Sequence, residues 1–293
     1  MARPKFDYFA PESIEEACRL CSEIGAGAFV LAGGTDLMVK VNHRLIKPKA
    51  FIGLKGIKGL DRISFDKKTG LTIGAMGLLA DVASDPAVRR HYPAIAFGAG
   101  ETANVQIRNM GTVAGNLCNA APSADNAPAL MALDAEVTLR GTEGKRRIPL
   151  EHFFKGPGLT AIESGEILTA IHVPPPLPKS GASYQHISAR GQTDISAVGV
   201  GAMVALNGRS CGRAKIFLGA VAPIPMRAVN AEKLIIGKRL TSELIEKAGL
   251  QASRESKPIT DMRASAEYRK MMVAVLTKRA LQEAQKRAMK AKR

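Results

Sequence analysis

From Ser13 onward the apolar positions Ile14, Ala17, Cys18, Cys21 and Ile24 recur at helical spacing, and Gly25 and Gly27 follow as stop signals. The spacing predicts one helix with Ser13 at its start. The next apolar run, Ala-Phe-Val-Leu at 28–31, is short and ends at Gly33-Gly34, the pattern of a buried strand entering a glycine turn. Strand-like runs recur at 50–54, 71–73 and 136–139, whereas 129–133 has helical spacing. The first half therefore mixes α and β without the regular alternation of a doubly wound sheet.

Four prolines between Val173 and Gly181, at 174, 175, 176 and 178, remove backbone donors and stop helices, so this stretch reads as a linker or domain edge. Beyond it, residues 183–188, 197–206 and 214–221 read as strands of one antiparallel sheet. Residues 231–236, 242–252 and 266 to about 290 have helical apolar spacing, so the second unit is expected to be a sheet covered by helices. No internal repeat is evident.

Composition narrows the class. With 293 residues, 46% hydrophobic and 23% charged, the chain has the balance of a folded protein and length enough for two domains. It opens without an apolar run of signal-peptide length, and no stretch reaches the roughly 18 apolar residues of a membrane span, so a cytoplasmic home without a span is expected. Four cysteines are too few for a disulfide scaffold. Cys18 and Cys21 form C-x-x-C, but both fall on the apolar face of the predicted helix and read as core.

The net charge of +16 raises nucleic acid as a partner. Two clusters carry much of it: seven Lys/Arg against one Glu at 278–293, and eight against two acids at 44–68. No base-reading motif accompanies either, tryptophan is absent and aromatics are 4%, so no nucleic acid is expected. Solvated faces, a basic tail or an acidic partner subunit remain as readings of the charge.

Two strings carry chemistry. In the first, Leu31, Ala32, Gly33, Gly34, Thr35, Asp36 and Leu37, a strand runs into two glycines and a Thr-Asp pair suited to a helix start. Without Cβ atoms at Gly33 and Gly34 an anionic pyrophosphate can approach bare amides, and Thr35 can add a hydroxyl; an ordinary tight turn is the alternative. The second, from Gln106 through Arg108, Thr112, Val113, Gly115 and Asn116 to Asn119, Pro122, Ser123 and Asp125, is rich in small residues, hydroxyls and amides, as expected of a loop wrapping a large polar ligand. Cys118 reads as a small buried filler. The five histidines, at 43, 91, 152, 172 and 186, form no i, i+4 pair, so no metal site is expected.

Together the strings resemble the FAD-binding medium subunit of the molybdenum hydroxylases, the family of xanthine dehydrogenase and carbon monoxide dehydrogenase. Ala32-Gly33-Gly34-Thr35-Asp36 matches that family's pyrophosphate loop and Thr112-Val113-Ala114-Gly115-Asn116 its second loop, nearly eighty residues on. Asn119-x-x-Pro122-x-x-Asp125, the opening Phe6-x-Tyr8-x-x-Pro11 and Arg190-x-x-x-Asp194-Ile195-Ser196 are also similar. The resemblance implies an α+β architecture. An FAD-binding domain of the vanillyl-alcohol-oxidase-like (PCMH) type would span 1–176, with two α/β subdomains of about 1–54 and 55–176. A flavoprotein C-terminal domain would span 177–293 as an antiparallel sheet covered by helices.

It further implies that residues 33–36 and 112–116 hold the FAD pyrophosphate, that Asp125 accepts from ribityl hydroxyls, and that Ile195 approaches the isoalloxazine ring. Some relatives place a lysine where this chain has Ala197. The implied role is electron transfer in an oxidoreductase complex, with no catalytic side chain on this chain. Molybdopterin would sit on a large partner and [2Fe-2S] clusters on a small one, in a dimer of heterotrimers, and NAD(H) or another carrier would dock transiently. The branch with an additional iron–sulfur cluster in this subunit is not indicated, since Cys18, Cys21, Cys118 and Cys211 lack a cluster spacing. The rival readings are a free-standing FAD-dependent reductase or oxidase and a basic scaffold protein.

Overall fold

The computed structural model describes residues 5–191 and 193–291. Three strands, β1 (Asp7–Phe9), β2 (Ala28–Leu31) and β3 (Ala50–Gly53), form a parallel sheet in the order β1-β3-β2. The helix predicted after Ser13 is α1 (Ile14–Ile24), capped by the Ser13 hydroxyl, which accepts from the Glu16 amide at 3.2 Å. Its buried face carries Ile14, Ala17, Cys18 and Cys21, and both cysteines are free thiols in the core. Helix α2 (Leu37–Asn42) follows the glycine turn after β2.

Strands β4 (Ile63–Asp66), β5 (Gly70–Gly74), β6 (Glu136–Gly141) and β7 (Gly144–Pro149) join a sheet that is antiparallel throughout. Its order is β4, β5, a central strand at residues 167–173, β6, β7. Between β5 and β6 the chain forms six short helices: α3 (Leu79–Ser84), α4 (Pro86–His91), α5 (Pro93–Glu101), α6 (Val105–Arg108), α7 (Val113–Asn119) and α8 (Asn126–Ala132). Only the last matches a helix expected from spacing. The others are too short for a readable apolar stripe, and α5 buries Ala94, Ile95, Ala96, Gly98 and Ala99. Pro86 and Pro93 at the first helical positions were the available signals. The expectation of a wrapping loop at 106–125 is thus corrected in part, because α7 and the end of α6 occupy much of it.

After the small hairpin β8 (Phe154–Gly156) and β9 (Leu159–Thr160), β10 (Ile167–Val173) fills the centre of the second sheet. The proline stretch then leads into the third sheet, β11 (Ser180–Ile187), β12 (Val198–Asn207), β13 (Ser210–Gly219) and β14 (Met226–Arg227), antiparallel in chain order. Two strand starts are earlier than the pattern suggested: β11 begins at Ser180 and β13 at Ser210. Helices α9 (Val229–Ile235), α10 (Ser242–Glu255) and α11 (Ala266–Lys290) cover one face, as expected. The basic tail of α11 ends within the described residues at Ala291, and Lys292 and Arg293 lie outside them.

Strand β12 explains how the units are joined. Val198, Val200, Ala202 and Val204 enter the core under the C-terminal helices, while Met203 and Ala205 enter the large core of the first unit. A Cβ on Gly201 would collide with the Pro128 carbonyl of α8, so that helix lies directly on the strand. The sheet is buried on both faces, which explains why β12 reads as one apolar run.

Candidate functional site

The two chemistry-bearing strings meet main chain to main chain. Beyond Leu31 at the end of β2, the chain turns through Ala32, Gly33, Gly34, Thr35 and Asp36 into α2, with Gly34 at φ +73°. A Cβ on Gly33 would strike the Met110 carbonyl, so only glycine allows the turn to lie against the loop before α7. On the other side the Thr112 hydroxyl caps α7, accepting from the Gly115 amide at 2.9 Å. Among the described residues nothing accepts a hydrogen bond from the amides of Gly33, Gly34 and Thr35. The turn therefore presents backbone donors the chain does not use.

These donors border a cleft of about 640 Å³ lined by Ala32, Gly33, Gly34, Thr35, Asp36 and Leu37 from the first string and by Thr112, Gly115, Asn116 and Asn119 from the second. A second chamber of about 440 Å³ adjoins it and shares Val30, Ala32, Gly115 and Cys118. Its walls include Ala28, Ala75, Ala114, Ile162 and Leu168, with Glu163 and Glu166 also on the lining. Burial pushes the Cys118 thiol up to about 12, which removes it as a nucleophile near neutral pH.

Lys40 was not read from the sequence. One turn beyond Asp36 on α2, it lines the cleft and donates from Nζ to Asn119 Oδ1 at 2.6 Å, tying the two strings together. Burial raises the Asp36 carboxyl above its ordinary range, opposed by the nearby Lys40 charge. The i, i+4 spacing of Asp36 and Lys40 on a short helix was the signal in the sequence.

Two further predicted residues, Val113 and Arg108, stand behind the wall. Val113 is fully buried beneath the cap. Arg108 donates to the carbonyls of Thr102 (3.2 Å) and Ala103 (2.7 Å), and these two residues line the cleft. Ala103 is held at φ +51°, a strained conformation for alanine that the guanidinium braces. Asn116 Oδ1 accepts from Asn126 Nδ2 at 3.0 Å, and the same amide group reaches Thr102 Oγ1 at 3.1 Å.

Asp125 and Ile195 lie outside the cleft lining. Asp125 is buried where the units join, and its Oδ1 accepts from the hydroxyls of Tyr184 (2.7 Å) and Ser196 (2.6 Å), both from the second unit. Ser196 also pairs with His186 Nδ1 at 3.0 Å, and His186 Nε2 lies 3.4 Å from Glu101 of α5. Burial raises the Asp125 carboxyl, outweighing the two hydroxyl bonds and the His186 charge. Ile195 is exposed on the loop after β11, which Arg190 and Asp194 brace with a 3.0 Å ion pair.

No group of three or more potential metal ligands occurs among the described residues, and no helix is long and apolar enough to cross a membrane. The geometry fits an extended ligand with an anionic middle: free amides and Lys40 at the glycine turn, and apolar space on the far side.

Comparison with known proteins identifies the family. The profile of the family described as the FAD binding domain in molybdopterin dehydrogenase matches residues 4–176, and that of the CO dehydrogenase flavoprotein C-terminal domain matches 182–284. The carbon monoxide dehydrogenase medium chain of Hydrogenophaga pseudoflava is 31% identical over 97% of this chain and 98% of its own length. A putative xanthine dehydrogenase FAD-binding subunit of Escherichia coli is 30% identical over 94% of this chain and 95% of its own. A solved carbon monoxide dehydrogenase from Hydrogenophaga pseudoflava superposes with a TM-score of 0.93 at 32% identity, covering 98% of this chain and 99% of that one.

Proposed function

The chain belongs to the FAD-binding subunits of the molybdopterin dehydrogenases, an oxidoreductase family, and we propose that it is the electron-exchange subunit of its complex. The observation that carries this reading is the junction of the Gly33-Gly34 turn with the capped start of α7 around one cleft.

The residues present fit FAD. The amides of Gly33, Gly34 and Thr35, with Lys40, would hold the pyrophosphate, since amides and a cation neutralise an anion without a reactive side chain. Residues 112–116 would close the cradle from the other side, with Asn119 and Asp36 at its border. The apolar second chamber would take the adenine end. Asp125 and Ile195, at the joint with the second unit, would face the ribityl chain and the ring. When bound, FAD supplies a couple that exchanges electrons singly or in pairs.

This chain's own contribution is to bind, orient and exclude water. No general base or nucleophile is required of it. Molybdopterin would reside on a large partner and [2Fe-2S] clusters on a small one, in a dimer of heterotrimers in the cytoplasm. NAD(H) or another carrier would exchange with the flavin transiently.

The test is anaerobic mixing of the FAD-loaded chain with its reduced iron–sulfur subunit. Loss of oxidised-flavin absorbance is expected. A flavin that binds but stays oxidised would overturn the electron-exchange role.

A further inference from the structure

The joint between the two units holds a line of polar side chains that the cleft lining does not include. Glu101 ends α5, His186 lies on β11, Ser196 stands just before β12, and Asp125 immediately precedes α8. Ser196 is 2% exposed, whereas the side chains of His186 and Glu101 are 16% and 30% exposed, so the line runs from the rim of the joint to its interior. Two hydroxyls on a carboxylate would be enough to close a joint. Here one of the hydroxyls also meets a titratable ring, and the ring meets a second carboxylate.

Ser196 Oγ lies 2.6 Å from Asp125 Oδ1 and 3.0 Å from His186 Nδ1. A hydroxyl carries one proton, which can serve only one of these contacts. When it points to Asp125, the other contact requires a proton on Nδ1. Nε2, 3.4 Å from Glu101 Oε2, is then a donor as well, and the ring is an imidazolium between two carboxylates. When the hydroxyl turns toward Nδ1, the contact with Asp125 requires a protonated carboxyl. Both arrangements use the same heavy-atom positions and differ only in where one proton sits.

The ring is held for such an exchange. Tyr184 stacks on His186 with centroids 5.8 Å apart and planes 4° apart, Phe97 lies at 6.2 Å, and the Tyr184 hydroxyl holds Asp125 Oδ1 at 2.7 Å. The inner end is tied to the cleft. Asn126, next in the chain after Asp125, donates to Thr102 Oγ1 and Asn116 Oδ1, and both of those residues line the cleft. Burial disfavours the Asp125 carboxylate, the two hydroxyls and a charge on His186 favour it, and the Glu101 charge disfavours it further. Added negative charge nearby shifts this balance toward the protonated carboxyl.

We propose that His186 and Asp125 share one proton through Ser196, and that it moves inward when the cofactor in the cleft gains an electron pair and returns when the pair is given up. The inference rests on the reading of this chain as an electron-exchange subunit, whose iron–sulfur partner supplies the electrons. In the inward step the Nδ1–H bond breaks as Ser196 Oγ takes that proton, and the hydroxyl's own proton forms an O–H bond with Asp125. The imidazolium becomes a neutral imidazole bearing Nε2–H, the carboxylate becomes a carboxylic acid, and no proton enters or leaves the pair. Positive charge is thereby shifted toward the reduced cofactor. His186 and Ser196 act through Asp125 and are positioning residues.

The test uses the FAD-loaded full chain, reduced anaerobically with dithionite, and reads two signals that a purely structural joint leaves unchanged. In wild type the nitrogen resonance of His186 Nδ1 is expected to report loss of its proton on reduction, and an infrared carboxylic-acid band that shifts with isotopically labelled aspartate is expected to appear with it. Ser196→Ala is expected to weaken both changes about tenfold, the worth of one hydrogen bond to a charged group, and Ser196→Thr, which keeps the hydroxyl, to restore them. His186→Gln is expected to abolish the infrared band. A wild-type chain whose bound flavin is reduced with neither signal would overturn the shared proton alone, as would signals of full strength in Ser196→Ala or a full band in His186→Gln. A folded wild-type chain that holds no flavin would overturn the proposed function and this inference with it.

Discussion

A methyl group at Gly33 would collide with the Met110 carbonyl, where the approach borders the cleft, and one at Gly201 would collide with that of Pro128, where a helix meets a strand. Around Gly33 the close contact leaves the amides of Gly33, Gly34 and Thr35 without acceptors among the described residues. Around Gly201 it seats α8 on β12, whose backbone is paired on both sides by β11 and β13. The same steric need therefore serves a ligand in one place and a domain joint in the other. A glycine announces that something comes close; what comes close is decided by the polar groups left over.

The comparison breaks most visibly at the joint. Gly201→Val is expected to cost on the order of 3 kcal/mol through overpacking against α8. That corresponds to a fall in melting temperature of roughly 6–10 °C for the apo chain, measurable by calorimetry. Gly33→Ala is expected to act on the ligand instead. Its apo melting temperature should fall less than that of Gly201→Val, while FAD affinity measured by fluorescence titration drops about 100-fold, or roughly 2.7 kcal/mol.

Lys40→Ala sharpens the contrast by keeping the backbone and removing the cation. A loss of FAD affinity of about fivefold to tenfold is expected, on the order of 1 kcal/mol as for a typical net hydrogen bond, and it should shrink as salt is added. Ser196→Ala removes one of the two hydroxyls that bind Asp125 at the joint, and about 1 kcal/mol of stability should go with it.

The smallest effect concerns pH. Because burial raises the folded-state pKa of Asp125, its contribution to stability is fully present below its unfolded pKa and is lost as pH rises through the folded value. Asp125→Asn keeps an acceptor for both hydroxyls and cannot ionise. Its stability relative to wild type should therefore improve as pH rises from about 4 toward neutral, and chemical denaturation across that range would show it.

How much was legible in the sequence follows from the same physics. Long elements with one clear face, such as α1, α10 and α11, stand where their spacing puts them. The helices from α3 to α7 escaped notice because four to nine residues are too few to show a stripe that can be counted. At the site, residues 31–37 and 112, 115, 116 and 119 were readable because glycines, hydroxyls and amides cluster along the chain, and they line the cleft apart from Leu31 at its approach. Lys40 was missed despite its i, i+4 spacing from Asp36, because its tie to the second string runs through Asn119, which is distant in sequence. The tie between Asp125, Tyr184 and Ser196 was equally hidden, since it forms only when the two units pack together. The Asp125 and Ile195 roles stay proposals for that reason.

The most direct test of the account is the flavin stoichiometry of the purified chain after reconstitution, compared between wild type and Gly33→Ala. One FAD per wild-type chain, and its loss on gel filtration of a Gly33→Ala chain that remains folded, is the predicted result. A folded wild-type chain that retains no flavin, or a Gly33→Ala chain that holds it as tightly as wild type, would contradict the claim that the glycine turn is the cofactor's cradle.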